Sequence, residues 1–168
     1  MEEICVGNGI SFNGRIINGN EFQLYSGVHR SVIDNTLNID LNIPSTCVIN
    51  NSEYTITKIR MYAFFNCSIT SITLPPTINV VEGGFAESSR KLISADLSMT
   101  KIKILSWCTF FLAVKLQTVL LPETVTEIGN KAFALCISLE TIVLPPKLSY
   151  IYNDSFAETK SDNILWIK

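Results

Sequence analysis

The sequence predicts a β-rich solenoid, a chain wound into stacked turns with a ladder of parallel strands along one wall. Three observations predict it. The series Leu116-x-x-Val119-x-Leu121-Pro122, followed by Val125, Ile128, Phe133 and Cys136, restarts 23 residues later as Leu139-x-x-Ile142-x-Leu144-Pro145. Comparable turns begin at Ile69 and Leu92, so successive starts are spaced by 23, 24 and 23 residues. Hydrophobic residues make up 47% of the 168 and charged ones 17%, which leaves ample apolar surface to offset chain entropy. A fixed period in the twenties built on L-x-x-L-x-L marks stacked leucine-rich repeats, whose turns bury their apolar faces only against one another.

Residues 1–38 lack the repeat and predict an N-terminal β cap. Asn13-Gly14 and Asn18-Gly19 lie among short apolar and aromatic runs, and Asn-Gly in that setting predicts hairpin turns. Such a cap covers the first repeat, whose open strand would otherwise expose backbone and apolar groups. Residues 39–168 predict the solenoid, about five 23-residue turns plus a closing strand, the whole forming one structural domain. The first turn opens at Leu41-Asn42-Ile43-Pro44 and resumes at Ile56, Ile59, Phe64 and Cys67. Between its halves, Asn50-Asn51 separates Val48-Ile49 from Tyr54-Ile56 and predicts an inserted hairpin.

The later turns follow by spacing. Residues two apart in a strand share a face, so Val119 and Leu121 point inward together and Leu120 points outward. Prolines 44, 75, 122 and 145 follow the inward pair, where a missing N–H ends the strand. The third turn has Ser98 there and is the least firmly specified; its extra residue falls before Ile102. The second apolar pair of each turn, such as Val125 and Ile128, forms short strands and turns on the opposite wall. A ladder of Phe64, Phe85, Phe110, Phe133 and Phe156 fills the space between the walls. Counting 23 onward from Ile142 and Leu144 sets Leu165 and Ile167 inward in the closing strand, with Trp166 outward between them.

Charge and motif exclude several functions. With 13 basic and 15 acidic residues there is no electrostatic footprint for a nucleic-acid partner. The start, MEEICVGNGISF, carries acids where an export signal has basic residues, and the most apolar run, Ile104–Val114, is too short to span a bilayer. Export and membrane insertion are therefore not expected of this stretch. No phosphate loop, dinucleotide fingerprint, zinc-protease helix or nucleophile elbow occurs, so neither an enzyme nor a cofactor or metal is expected. His29, the single histidine, has no evident partner. Of five cysteines, Cys67 and Cys136 share a repeat phase about 14 Å apart. That is too far for a disulfide, and they read as buried thiols.

The run LQTVLLPETVTEIGNKAFALC resembles the BspA-like leucine-rich repeats almost throughout, and VINNSEYTITKI leading into AFFNC is similar to the hairpin of that family's first repeat. The resemblance covers roughly residues 39–168. It implies a non-enzymatic protein-binding module on a cell surface or secreted, adhering to host matrix or cell-surface proteins through a concave strand face. An intracellular scaffold is the alternative, as the missing signal would have it. The outward positions of that face are the candidate binding residues: Thr118 and Thr141 continue a polar ladder from Ser71 and Ser94. Thr73, Asp96, Leu120, Val143 and Trp166 form a second ladder that turns apolar toward its C-terminal end. Exposed contiguous apolar surface marks a contact site, and this one would serve a protein ligand or self-association through the C-terminal strand edge.

Overall fold

The computed structural model describes the backbone of residues 3–7, 10–27, 39–160 and 164–166, and the side chains of 11–25 and 39–160. His29, Ile167 and the expected boundary at residue 38 lie outside them. The described residues form strands and turns with no helix, hence none long and apolar enough to cross a membrane. They build a leucine-rich-repeat solenoid.

The long wall is a six-stranded parallel sheet in which each strand comes from a different turn. These are β4 (Ile39–Asn42), β7 (Ile69–Thr73), β9 (Ser94–Asp96), β11 (Thr118–Leu120), β13 (Thr141–Leu144) and β15 (Ile164–Trp166). Leu41, Ile72, Ala95, Val119 and Ile142 stand side by side and are buried. The opposite wall carries the two-residue strands β8 (Val80–Val81), β10 (Ile104–Leu105), β12 (Glu127–Ile128) and β14 (Tyr150–Ile151). There Leu105, Ile128 and Ile151 stack in register.

Between the walls the phenylalanines form the expected ladder. Successive ring centroids from Phe64 to Phe156 lie 5.3, 6.0, 5.6 and 5.0 Å apart, edge-on in the first two contacts and stacked in the last two. The backbone hides one irregularity. Amides of Phe64, Ala86, Phe110 and Phe133 donate to equivalent carbonyls of the next turn, those of Phe85, Thr109, Ala132 and Ser155. Ala86, not Phe85, therefore occupies the phenylalanine's place in the second turn, and Phe85 reaches the ladder from one residue earlier. Left-handed residues two before and two after confirm the alignment: Tyr62 and Asn66, Gly84 and Ser88, Cys108 and Leu112, Lys131 and Leu135.

The third turn is tied more firmly than its missing proline implies. Asp96 Oδ1 accepts from the Ser98 amide at 2.9 Å and from its hydroxyl at 2.6 Å. This side-chain turn replaces the proline stop. The Thr100 amide and hydroxyl then donate to the Leu97 carbonyl, and the extra residue is absorbed before Ile102.

The cap is more closed than a meander. β1 (Glu3–Gly7), β2 (Ile10–Ile17) and β3 (Glu21–Gly27) run antiparallel, and the inserted hairpin supplies β5 (Thr46–Ile49) and β6 (Ser52–Ile59). β1 pairs with β5 and β3 with β6, so the five strands close on themselves as a small barrel. Short turns with positive φ join its hairpins, three residues long at Asn18-Gly19-Asn20 and two at Asn50-Asn51, as hairpin twist demands. Asn13-Gly14 is a correction: it lies inside β2 at a register shift, not in a turn. A Cβ on Gly14 would strike the Phe22 ring and the Gln23 carbonyl, so this glycine admits a core ring. β6 also pairs with β8, and Gln23 reaches Glu82 at 3.0 Å; together they bind cap to solenoid.

Candidate binding faces

Parallel pairing in register stacks like residues into columns, so the outward face of the long sheet is set by the repeat itself. One column runs Ser71, Ser94, Thr118, Thr141. The next runs Asn42, Thr73, Asp96, Leu120, and Val143 extends it. Leu120 and Val143 are 49% and 46% exposed. The structure thus gathers Thr73, Asp96, Thr118, Leu120, Thr141 and Val143 on one face. Asp96 is half-buried and its Oδ1 is already committed to Ser98.

Trp166 requires a correction. In the backbone register Ile164 pairs with Ile142, Leu165 with Val143, and Trp166 with Leu144. The last turn is 22 residues long rather than 23, because a connecting turn can lose a residue while the strand pairing is kept. A one-residue slip exchanges the two faces of a strand, so Leu165 rather than Trp166 holds the position in line with Val143. The side chains of β15 lie outside the described ones.

The opposite wall holds a second face, which repeat counting missed. Its outward strand positions are Val80, Ile104, Glu127 and Tyr150, the last three paired in register. Just beyond them stands Trp107, 42% exposed. Its indole occupies the space where a side chain on Gly83 would be, and it makes a T-shaped contact with Tyr62, ring centroids 5.7 Å apart. Tyr152, 40% exposed, is braced edge-on by Tyr150 at 4.9 Å. Between Trp107 and Tyr152 lies an open depression of about 440 Å³ whose rim includes Glu127, Asn130 and Ser106. Gly129 forms its floor, and a Cβ there would press on the Ser106–Trp107 backbone at 2.8–2.9 Å. A second depression of about 450 Å³ adjoins it across Ile104 and Ser106 and carries Lys101 and Lys103. The available signal was Trp107 and Tyr152 out of phase with the inward positions.

The cysteines offer no chemistry of this kind. Cys136 is buried, donates to the Phe110 carbonyl at 3.1 Å, and its burial pushes the thiol up to about 12. Cys67 is half-buried against the core. Cys108 is also raised, by burial first and then by Glu87 and Asp154, against a lowering by Lys131. Cys47 is disulfide-bonded. Among the described residues no His, Cys, Asp and Glu cluster could hold a metal ion.

Residues 42–163 match the model of the BspA type leucine rich repeat region, in six copies. The chain belongs to the BspA-type leucine-rich repeat family. Among solved structures, this BspA-type chain is similar to a leucine-rich repeat protein from Bacteroides ovatus, with 23% identity and a TM-score of 0.76 over all of this chain and 40% of that one. It is also similar to the leucine-rich repeat protein of T. pallidum, with 19% identity and a TM-score of 0.74 over 90% of this chain and 66% of that one. The pneumococcal vaccine antigen PcpA follows, with 16% identity and a TM-score of 0.57 over 98% of this chain and 50% of that one. At these identities the likeness is one of fold, and the BspA-type chain spans less than two thirds of each of these proteins. Among curated proteins none matches.

Proposed function

We propose that this BspA-type repeat chain is a non-enzymatic protein-binding module that works in adhesion to matrix or cell-surface proteins, using the outward face of its long sheet. The observation that carries this reading is the continuous outward face, a hydroxyl column beside a mixed polar column that ends in the exposed pair Leu120 and Val143. An exposed contiguous apolar pair beside polar columns is the kind of surface that marks a contact site. The Cys47 disulfide favours an oxidising compartment, and so a surface or secreted place over the intracellular-scaffold alternative. The cap of residues 1–38 and the solenoid of 39–168 act as one domain in this reading, since β1 and β3 pair with β5 and β6. The free side of β15, last in the described order, offers an edge for self-association.

The test is retention of the purified chain on immobilised matrix proteins, with Leu120→Asp and Val143→Asp introduced together. Both side chains are half exposed, so the melting temperature should hold while retention falls about tenfold or more, the loss expected of hot-spot residues. Unchanged retention would remove the long-sheet face from the proposal.

A further inference from the structure

We propose that the groove on the short-strand wall binds an acidic oligosaccharide, with one pyranose ring stacked on Trp107 in the depression shared with Tyr152 and an acidic substituent held by Lys101 and Lys103. This site is separate from the long-sheet face and does not depend on it.

Trp107 is exposed and yet held in place. One side of its indole lies over Gly83, where the missing side chain makes room, and Tyr62 packs against it in a T-shaped contact. The ring therefore gives up little freedom on binding, the condition under which an exposed aromatic contributes most. Tyr152, steadied by Tyr150, lines the same depression. Flat aromatic surfaces complement the C–H face of a pyranose.

The polar groups decide between a sugar and a purely apolar guest. Glu127 supplies acceptors and Asn130 both donors and acceptors. Ser106 donates to the Val81 carbonyl at 2.7 Å, which fixes its oxygen as an acceptor. An apolar side chain pressed into this depression would strip these groups of water without replacing their hydrogen bonds, a costly exchange. Ring hydroxyls would replace them. The depression's volume, about 440 Å³, lies in the range of small-ligand pockets. Its neighbour adds the charge: Lys101 and Lys103 stand two residues apart on its rim, a match for a carboxylate or sulfate on the adjoining sugar.

The test is calorimetric titration of the full chain with a tetrasaccharide of alternating glucuronate and N-acetylglucosamine. The comparators are the neutral N-acetylglucosamine tetramer and an acidic peptide containing one aromatic residue. The acidic tetrasaccharide should bind saturably, and Trp107→Ala should weaken it about tenfold or more. Trp107→Phe should retain part of the affinity. Lys101→Gln with Lys103→Gln should bring the acidic sugar down to the neutral one and abolish the salt dependence of binding. If Trp107→Ala fails to fold by circular dichroism, Tyr152→Ala and the lysine pair carry the test. The proposal is overturned by absence of saturable binding at millimolar sugar, by indifference to these substitutions, by equal affinity for the neutral tetramer, or by tighter binding of the peptide.

Discussion

Single residues in this chain take their character from their place in the turn. Cys136 has an ordinary thiol chemistry made inaccessible by burial, its ionisation pushed up to about 12 from an ordinary value of 9.0. In the unfolded chain the same thiol ionises near 9, so between pH 9 and 12 the folded state holds a proton that the unfolded state has released. Its contribution to stability is therefore complete below pH 9 and is lost as pH rises through 12. Urea midpoints measured across that window should fall more steeply for the native chain than for Cys136→Ala; parallel slopes would mean the buried thiol is not the group responsible. Asp96 is a second case. Its carboxylate holds the Ser98 amide and hydroxyl, so Asp96→Ala should cost about 1 kcal/mol, the worth of such bonds, read from chemical denaturation. Asp96→Asn keeps an acceptor and should cost less.

Elements show where periodicity carries information and where it runs out. The inward positions of the long sheet and the phenylalanine ladder were legible because each is repeated at a fixed spacing and each is buried, so a lapse would be felt in every adjacent turn. Phe110 is the test of that ladder. It sits between Phe85 and Phe133 and is fully buried, so Phe110→Ala should destabilise the chain by about 3–5 kcal/mol, visible in a thermal melt. Trp166 was misplaced because counting assumes constant length, while turns gain or lose residues without disturbing the pairing. Gly14 misled for a different reason: the same Asn-Gly pair that makes a hairpin turn also clears space beneath a ring. Gly83 works that way too, and its neighbour across the stack, Trp107, could be placed only in three dimensions. The long-sheet face was readable as alternation along a strand. The aromatic groove was not, since its residues come from corners of different turns and its two aromatic side chains, Trp107 and Tyr152, fall at different positions of their turns.

Over the whole molecule, stability is distributed as in other stacks, each turn leaning on its neighbours. Replacing both Leu120 and Val143 by Asp changes only outward side chains, and so should leave cooperative unfolding intact while it alters binding. The two candidate faces lie on opposite walls, which lets their effects be separated: the aspartate pair should not disturb sugar titration, and Trp107→Ala should not disturb retention on matrix proteins.

The five-stranded closure at the N-terminal end gives the stack a direction. β6 is bonded on one side to β3 and on the other to β5 and then β8, so no further turn can be threaded beneath it without opening the ring. β15, by contrast, is the last described strand of the long sheet and is bonded on one side to β13. Insertion ahead of β15 leaves that closure intact, like a column lengthened above a finished base. Copies of the Leu116–Pro145 unit grafted ahead of β15 should lengthen the domain and leave the barrel untouched, and the number of turns becomes a dimension that duplication can adjust freely.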